Sequence, residues 1–96
     1  MILYHWTKKK NLKDILEEGL IRKKTFCLYL TKFPEKWKGL NDNGILLKVK
    51  VPKDVKLTCF EEFSDGTEVL CWNDIPPENI EVIEFNNALP TKPKSL

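Results

Sequence analysis

No stretch of this 96-residue sequence approaches the roughly 18 consecutive apolar residues that would cross a bilayer. No secretory leader pattern stands at Met1 either. Cysteine is scarce: Cys27, Cys59 and Cys71 are an odd number at wide spacing. That spacing argues against a disulfide framework and against a zinc site, and it fits reduced thiols in a cytosol. A cytoplasmic protein with no membrane partner and no metal is therefore expected. There is no internal repeat and only one histidine, His5. The net charge of +2 gives by itself no reason to expect a polyanionic partner.

What is present is the composition of an ordinary globular domain. At 42% hydrophobic and 31% charged residues, the chain has too much apolar material for a disordered one. A chain this short buries under about 70% of the surface its unfolded form exposes, so the core is modest. One domain over residues 1–87 is expected, with 88–96 as a flexible tail, because two prolines and few apolar residues mark that end. Charge is distributed unevenly. Residues 1–53 carry 13 Lys/Arg against 5 Asp/Glu, and residues 54–96 carry 3 against 9. Solvated lysines on exposed elements explain this; so does a basic face turned toward phosphates.

Hydrophobic periodicity orders the chain. Ile2-Leu3-Tyr4-His5-Trp6-Thr7 reads as a strand, with Leu3, His5 and Thr7 on one face and Tyr4 and Trp6 on the other. Asn11 is placed to cap a helix carrying Leu12, Ile15 and Leu16, and Gly19 to stop it. Thr25–Thr31 reads as a second strand, Phe33–Leu40 as a short helix opened by Pro34, and Asn41-Asp42-Asn43-Gly44 as a turn. Ile45–Val51 is the clearest strand, with Ile45, Leu47, Val49 and Val51 on one side. Lys56–Phe60, Thr67–Trp72 and Ile80–Phe85 complete the strands, with a polar loop at Glu61–Gly66 and a turn or 3₁₀ turn at Asn73–Asn79. One early helix followed by mostly strands implies an α+β fold with a bent, mostly antiparallel sheet and one or two short helices.

Three residues begin or end a strand beside a loop: His5, Tyr29 and Glu68. Singly, each has a plain structural reading. Together with their surroundings they form a pattern. A Tyr-His-x-Thr strand is followed by a helix ending Glu-Gly-Leu, a Leu-Tyr-Leu-Thr strand, and a Glu-Val-Leu strand that leads to Ile-Pro-Pro-Glu-Asn-Ile.

In these segments, and from about Leu3 to Ile83, the sequence resembles the ADP-ribosyltransferase-like superfamily. The likeness is to its His-Tyr-Glu branch, which includes diphtheria-toxin-like enzymes, poly-ADP-ribose polymerases and DarT-type DNA-modifying toxins. The resemblance implies a split sheet with NAD⁺ as co-substrate in its cleft, cleaved at the nicotinamide glycosidic bond, and mono-ADP-ribosyl transfer to a macromolecule. His5 would hydrogen-bond the adenosine ribose. The backbone of Trp6 and the hydroxyl of Thr7 would hold the nicotinamide amide. Tyr29 would stack on the nicotinamide ring, and Trp37 would cover its other face, in a region where the family often has a tyrosine. Glu68 would be the catalytic carboxylate, set against the ribose next to nicotinamide. Arg22, Lys23 and Lys24 would steer the pyrophosphate, or simply be solvated.

Cleavage through an oxocarbenium-like state builds positive charge on the sugar, which a fixed carboxylate stabilises. An aromatic face attracts the cationic nicotinamide ring by about 0.5–2 kcal/mol. The sequence also departs from the family. It is short and lacks substrate-binding insertions. Gly66 stands two positions before Glu68, where arginine-modifying members usually carry an acidic or amide residue, which puts arginine transfer in doubt. The acidic loop Glu61–Thr67 suits a nucleic-acid backbone poorly, so the acceptor, protein or nucleic acid, stays open. A catalytically inactive nucleotide-binding or protein-interaction (inhibitor) module on the same fold is the alternative. Direct nucleic-acid binding by the basic half is a third reading.

Overall fold

Alternating branched and aromatic side chains over Ile2–Lys8 form strand β1. A single 3₁₀ turn, Lys9–Asn11, then leads straight into helix α1, Leu12–Glu18. The computed structural model describes residues 1–22 and 27–86. The expected tail at 88–96, the domain limit at residue 87 and the basic residues Lys23 and Lys24 lie outside the described residues. After α1 come β2 (Leu28–Leu30), a 3₁₀ segment (Pro34–Leu40), β3 (Gly44–Lys50), β4 (Leu57–Thr58), β5 (Val69–Cys71) and β6 (Ile80–Phe85). A 3₁₀ turn at Pro77–Asn79 precedes β6. The fold is α+β, built on two small antiparallel sheets.

The first sheet has the order β1-β3-β6 and the second β2-β5-β4. β3 lies at the centre of the first, paired with β1 from Ile2↔Lys50 to Lys8↔Gly44. Its chain enters through the Asn41–Gly44 turn, where the Gly44 N–H donates to the Asn41 carbonyl at 2.8 Å and Asn43 holds a φ of 62°. Asparagine tolerates that left-handed region better than most side chains. In the second sheet Leu28 pairs with Cys71 and Leu30 with Val69, which turns those side chains inward and leaves Tyr29 exposed on the other face. One apolar cluster joins the two sheets: Leu3, Leu30, Ile45, Leu47, Val49, Cys71 and Ile75 are sealed from solvent within it. Each fully buried Leu, Ile or Val contributes about 1.5–3 kcal/mol.

The sheets meet at one point. The Tyr4 N–H donates to the Thr31 carbonyl at 2.8 Å and the Thr31 N–H returns to Tyr4 at 2.9 Å, an isolated antiparallel bridge between β1 and the end of β2. Beyond it the sheets diverge. A second isolated bridge, Leu20↔Ile75, ties the end of α1 to the segment before β6 with two bonds of 2.9 Å.

Several elements differ from the sequence-based expectation. Asn11 makes no side-chain cap, because its backbone is already helical (φ −94°, ψ −9°) and capping needs an extended conformation there. Leu16 is 48% exposed, so α1 buries only Ile15 and part of Leu12. The strand expected at Lys56–Phe60 shrinks to two residues because the Lys56 N–H is taken by the Asn73 side chain and Phe60 opens a 3₁₀ turn. The one expected at Thr67–Trp72 keeps only Val69–Cys71, since the N–H and C=O of Thr67 are bonded to Asp65 and Trp37. Of the strand expected at Thr25–Thr31, Leu28–Leu30 is present; Thr25 and Phe26 lie outside the described residues.

Gly19 stops α1 with φ 88°, its N–H donating to the Ile15 carbonyl at 2.7 Å. A Cβ here would land on the Ile75 carbonyl oxygen, the same atom that receives the Leu20 N–H. Gly19→Ala should therefore lose about 3 kcal/mol of stability, from left-handed strain plus a backbone clash. Urea unfolding of the variant measures this, and a loss below about 1 kcal/mol, the cost of an ordinary substitution, would show that the close approach does not matter.

Candidate functional site

A cavity of about 310 Å³ opens where the sheets part, beside the Tyr4–Thr31 bridge. Its walls carry His5 and Trp6 from β1, Tyr29 from β2, Trp37 and Asn41 from the 3₁₀ segment and its exit, and Glu68 from the residue preceding β5. His5, Tyr29 and Glu68, far apart in sequence, thus line one hollow. Tyr29 pairs with Leu70 across β2 and β5, and strand alternation puts Glu68 on the same face as Leu70. Thr7 does not line this cavity. It is buried and borders two neighbouring hollows instead.

Glu68 is positioned by the turn before it. Gly66 turns the chain at φ 96°, its carbonyl receiving the Lys32 N–H at 2.9 Å. The Asp65 carboxylate accepts from the Thr67 N–H at 2.9 Å and from its hydroxyl at 3.0 Å. Lys36 donates to the same hydroxyl at 3.1 Å and lies 3.5 Å from Asp65. The bonds from Thr67, then the Lys36 ammonium, hold the Asp65 carboxyl below its usual range. The Trp37 indole donates to the Thr67 carbonyl at 2.8 Å. The 3₁₀ segment therefore grips the residue next to Glu68 at its side chain and at its carbonyl.

Both tryptophans of the cavity are fixed in the same manner, since the Trp6 indole donates to the Pro34 carbonyl at 2.8 Å. Asn41 donates to the Trp37 carbonyl at 2.6 Å. In turn the buried Asn86 donates to the carbonyls of Asn41 and Lys38, each at 2.9 Å. A continuous run of hydrogen bonds links the end of β6 to the turn that carries Glu68.

His5 has its Nδ1 2.8 Å from the Tyr29 carbonyl. A carbonyl only accepts, so Nδ1 carries the proton, and in the neutral ring Nε2 is a bare acceptor. The ring is half-buried and lines the hollow. Burial pushes its pKa down, and the bond to Tyr29 offsets this in part. His5 is therefore neutral at pH 7. The Tyr29 phenol is pushed up, first by the charge and hydrogen bond of the Cys27 side chain, then by burial and the Glu68 carboxylate, so it stays protonated.

A second open hollow, about 520 Å³, continues from the first between α1, β1 and β2. It shares His5 and Tyr29 with the cavity, and Asp14 and Glu18 line it. Arg22, expected near a pyrophosphate, is engaged with Asp74, which accepts its backbone N–H at 2.9 Å and lies 3.7 Å from its guanidinium. Among the described residues no group of three or more His, Cys, Asp or Glu is arranged to hold a metal, and no helix is long and apolar enough to cross a membrane.

No protein-family model matches this chain, and no curated protein matches it. The site therefore stands on its own geometry. Sequence reasoning missed Asn41, which it assigned only to the Asn-Asp-Asn-Gly turn. That turn signal was sound and concealed a second use of the same side chain. The Lys36–Asp65–Thr67 support was also missed: Lys36 lies 31 positions from Thr67, beyond any local pattern, and the Asp65–Thr67 contact, two positions apart, sits inside a loop read only as polar.

Two outcomes are expected. Below pH 6.5, the ordinary histidine value, the unfolded chain takes up a proton that the folded His5 resists. The unfolded state then binds more protons and stability rises with pH. The His5 contribution is complete above pH 6.5 and is lost as pH falls toward the depressed folded value. Urea unfolding between about pH 7.5 and 5 should show this slope in wild type. His5→Asn, which keeps a donor for Tyr29 without titrating, should lack it; parallel profiles would mean that the ring is not desolvated. Separately, Asp65→Ala should speed hydrogen exchange at the Thr67 amide while leaving β3 amides unchanged.

Proposed function

We propose that the protein binds NAD⁺ in this cleft and cleaves its nicotinamide glycosidic bond, passing the ADP-ribosyl group to a macromolecular acceptor. The observation that carries this reading is the convergence of His5, Tyr29 and Glu68 on one cavity, the combination that the resemblance to the ADP-ribosyltransferase-like superfamily implies.

The residues suit such a ligand. A cavity of 310 Å³ lies within the usual range for small-molecule sites, about 300–1,000 Å³. The adjoining 520 Å³ hollow offers room for the rest of a dinucleotide. Nε2 of a neutral His5 accepts from a ribose hydroxyl without placing a charge there. Asp14 and Glu18 offer further acceptors for hydroxyls or an exocyclic amine. Tyr29, kept neutral, and Trp37, fixed by its bond to Thr67, present aromatic surface that attracts a flat cation. With Thr7 outside the cavity, the carboxamide contacts fall to the Trp6 backbone and the Asn41 side chain, whose Nδ2 serves Trp37 and whose Oδ1 has no hydrogen-bond partner among the described residues.

NAD⁺ supplies a leaving group that departs neutral once its bond to C1′ breaks. Glu68 is the acidic residue lining the cavity, and it would stabilise positive charge developing on the ribose. Trp37, Lys36 and Asp65 hold the neighbouring Thr67, which fixes the backbone that presents the Glu68 carboxylate to the cavity.

With NAD⁺ and no added acceptor, purified protein should release nicotinamide. Glu68→Gln should lower the rate about 10²–10³-fold while circular dichroism, thermal unfolding and NAD⁺ affinity by calorimetry stay near wild type. Binding without turnover in the wild type would support the inactive nucleotide-binding module. No NAD⁺ binding at all would end both readings.

A further inference from the structure

Asn86, the residue after β6, carries the one buried side-chain amide among the described residues. An amide in such a place is costly unless its donors are used, and both of its N–H groups are. They go to the carbonyls of Lys38 and Asn41, each at 2.9 Å. Those carbonyls lie at the exit of the 3₁₀ segment, where no further helical turn follows to pair with them. The Asn86 backbone N–H is anchored separately, on the Gly44 carbonyl at 2.8 Å. Asn86 does not line the cavity, yet the bonds run from it to the cavity wall without a gap. Asn41, held at its carbonyl, donates its own amide to the Trp37 carbonyl at 2.6 Å, and the Trp37 indole donates to the Thr67 carbonyl at 2.8 Å. That last acceptor matters most. The Thr67 carbonyl and the Glu68 nitrogen belong to one planar peptide unit, so a donor that fixes the carbonyl also fixes the plane from which Glu68 departs.

We propose that Asn86 is a positioning residue for Glu68, acting through the 3₁₀ segment without touching the ligand. Its effect on rate rests on the NAD⁺ reading; its hold on the Trp37 indole does not. Two ties join the end of β6 to the 3₁₀ segment, and they differ in strength. The Glu84 carboxylate meets the Lys38 ammonium at 2.8 Å, but both side chains are well exposed, and a solvated ion pair contributes little. The Asn86 amide is buried, so its bonds face no competition from water and leave two carbonyls unpaired when removed. Asp65 and Lys36 hold Thr67 from the other side, at its N–H and its hydroxyl, and leave its carbonyl to Trp37. Orientation of the peptide that leads into Glu68 therefore depends on the indole, and the indole depends on a backbone that Asn86 steadies. A group that acts in this way has a distinct signature. Its removal slows turnover only while Glu68 is present to be placed.

The test compares Asn86→Ala with Glu84→Gln, a change at the exposed tie. In the ligand-free protein, Asn86→Ala should speed hydrogen exchange at the Trp37 indole about two- to tenfold, the equilibrium worth of one hydrogen bond. Glu84→Gln should leave that exchange as it is in wild type. With NAD⁺, nicotinamide release by Asn86→Ala should fall about 10- to 100-fold, as when a remote change misplaces a reacting group. Made in the Glu68→Gln background, the same substitution should lower the residual rate by less than about twofold, because effects that pass through one group do not multiply. A purely structural Asn86 would give equal factors in both backgrounds. Should Asn86→Ala not fold, Asn86→Ser, which keeps a hydroxyl donor, takes its place, and the wild-type indole proton must in any case exchange far more slowly than that of a free indole. The proposal is overturned by an unprotected indole in wild type, by indole exchange that the Asn86 variants leave unchanged, or by equal rate losses with and without Glu68. A wild type that releases no nicotinamide ends the NAD⁺ reading instead, and indole exchange alone then decides whether Asn86 holds the turn that carries Glu68.

Discussion

One pair of hydrogen bonds, between the backbones of Tyr4 and Thr31, decides where this protein has a cleft. β1 is occupied along its other edge by β3 over its whole length, so its remaining edge is available to the second sheet. The second sheet takes it at a single position and then turns away. Were the pairing to continue along β1, the sheets would merge and the space beside His5 would close. Were it absent, side-chain packing and the His5–Tyr29 bond would hold β2 and β5 to the first sheet, and the distance between His5 and Glu68 would be loosely set. The bridge has a neighbour that reinforces it, the bond from the His5 ring to the Tyr29 carbonyl. That bond also sets the tautomer of the histidine.

Rigidity on the Glu68 side comes from polar contacts rather than from apolar packing. The chain before Glu68 is a turn, and turns carry backbone groups that no ladder satisfies. Here they are satisfied by residues of the 3₁₀ segment, which Asn41 and Asn86 connect to the end of β6. Indole N–H groups serve twice, as donors to carbonyls and as anchors that keep the aromatic walls still. Such a network holds a geometry well when complete and poorly when one member is removed, because each partially desolvated donor or acceptor depends on the next. The electrostatic consequences agree with one another. Histidine and tyrosine are both held neutral, which leaves the glutamate as the acidic group of a half-enclosed space.

Element by element, the strands with strict alternation and the glycine-bounded turns were legible in the sequence. β1, β3 and β6 lie within a residue or so of their expected limits, since each has branched residues at alternate positions and a turn or proline at its end. The Gly19 stop and the Asn41–Gly44 turn were legible for similar reasons. β4 and β5 were overestimated because their flanking residues have strand-like side chains while side chains distant in sequence have taken their backbone groups. The Asn73 side chain takes the Lys56 N–H, and the Trp37 indole takes the Thr67 carbonyl. Propensity scales register neither competitor. Asn11 failed as a cap for a related reason: the preceding lysines already wind into a 3₁₀ turn.

Local physics written in the chain therefore determined the α+β class, the order of its elements, the inward faces of β1, β2 and β3, and the three residues worth placing together. Alternation, glycine conformation and turn chemistry act within a few residues, and a sequence displays them directly. Only tertiary structure decided that His5, Tyr29 and Glu68 share a hollow, that Asn41 joins them while Thr7 does not, and that Arg22 faces Asp74. Those outcomes depend on where two sheets touch and on bonds spanning 24 to 52 positions. No local rule ranks such long-range pairings, because their energy is realised only once the core has brought the partners within reach.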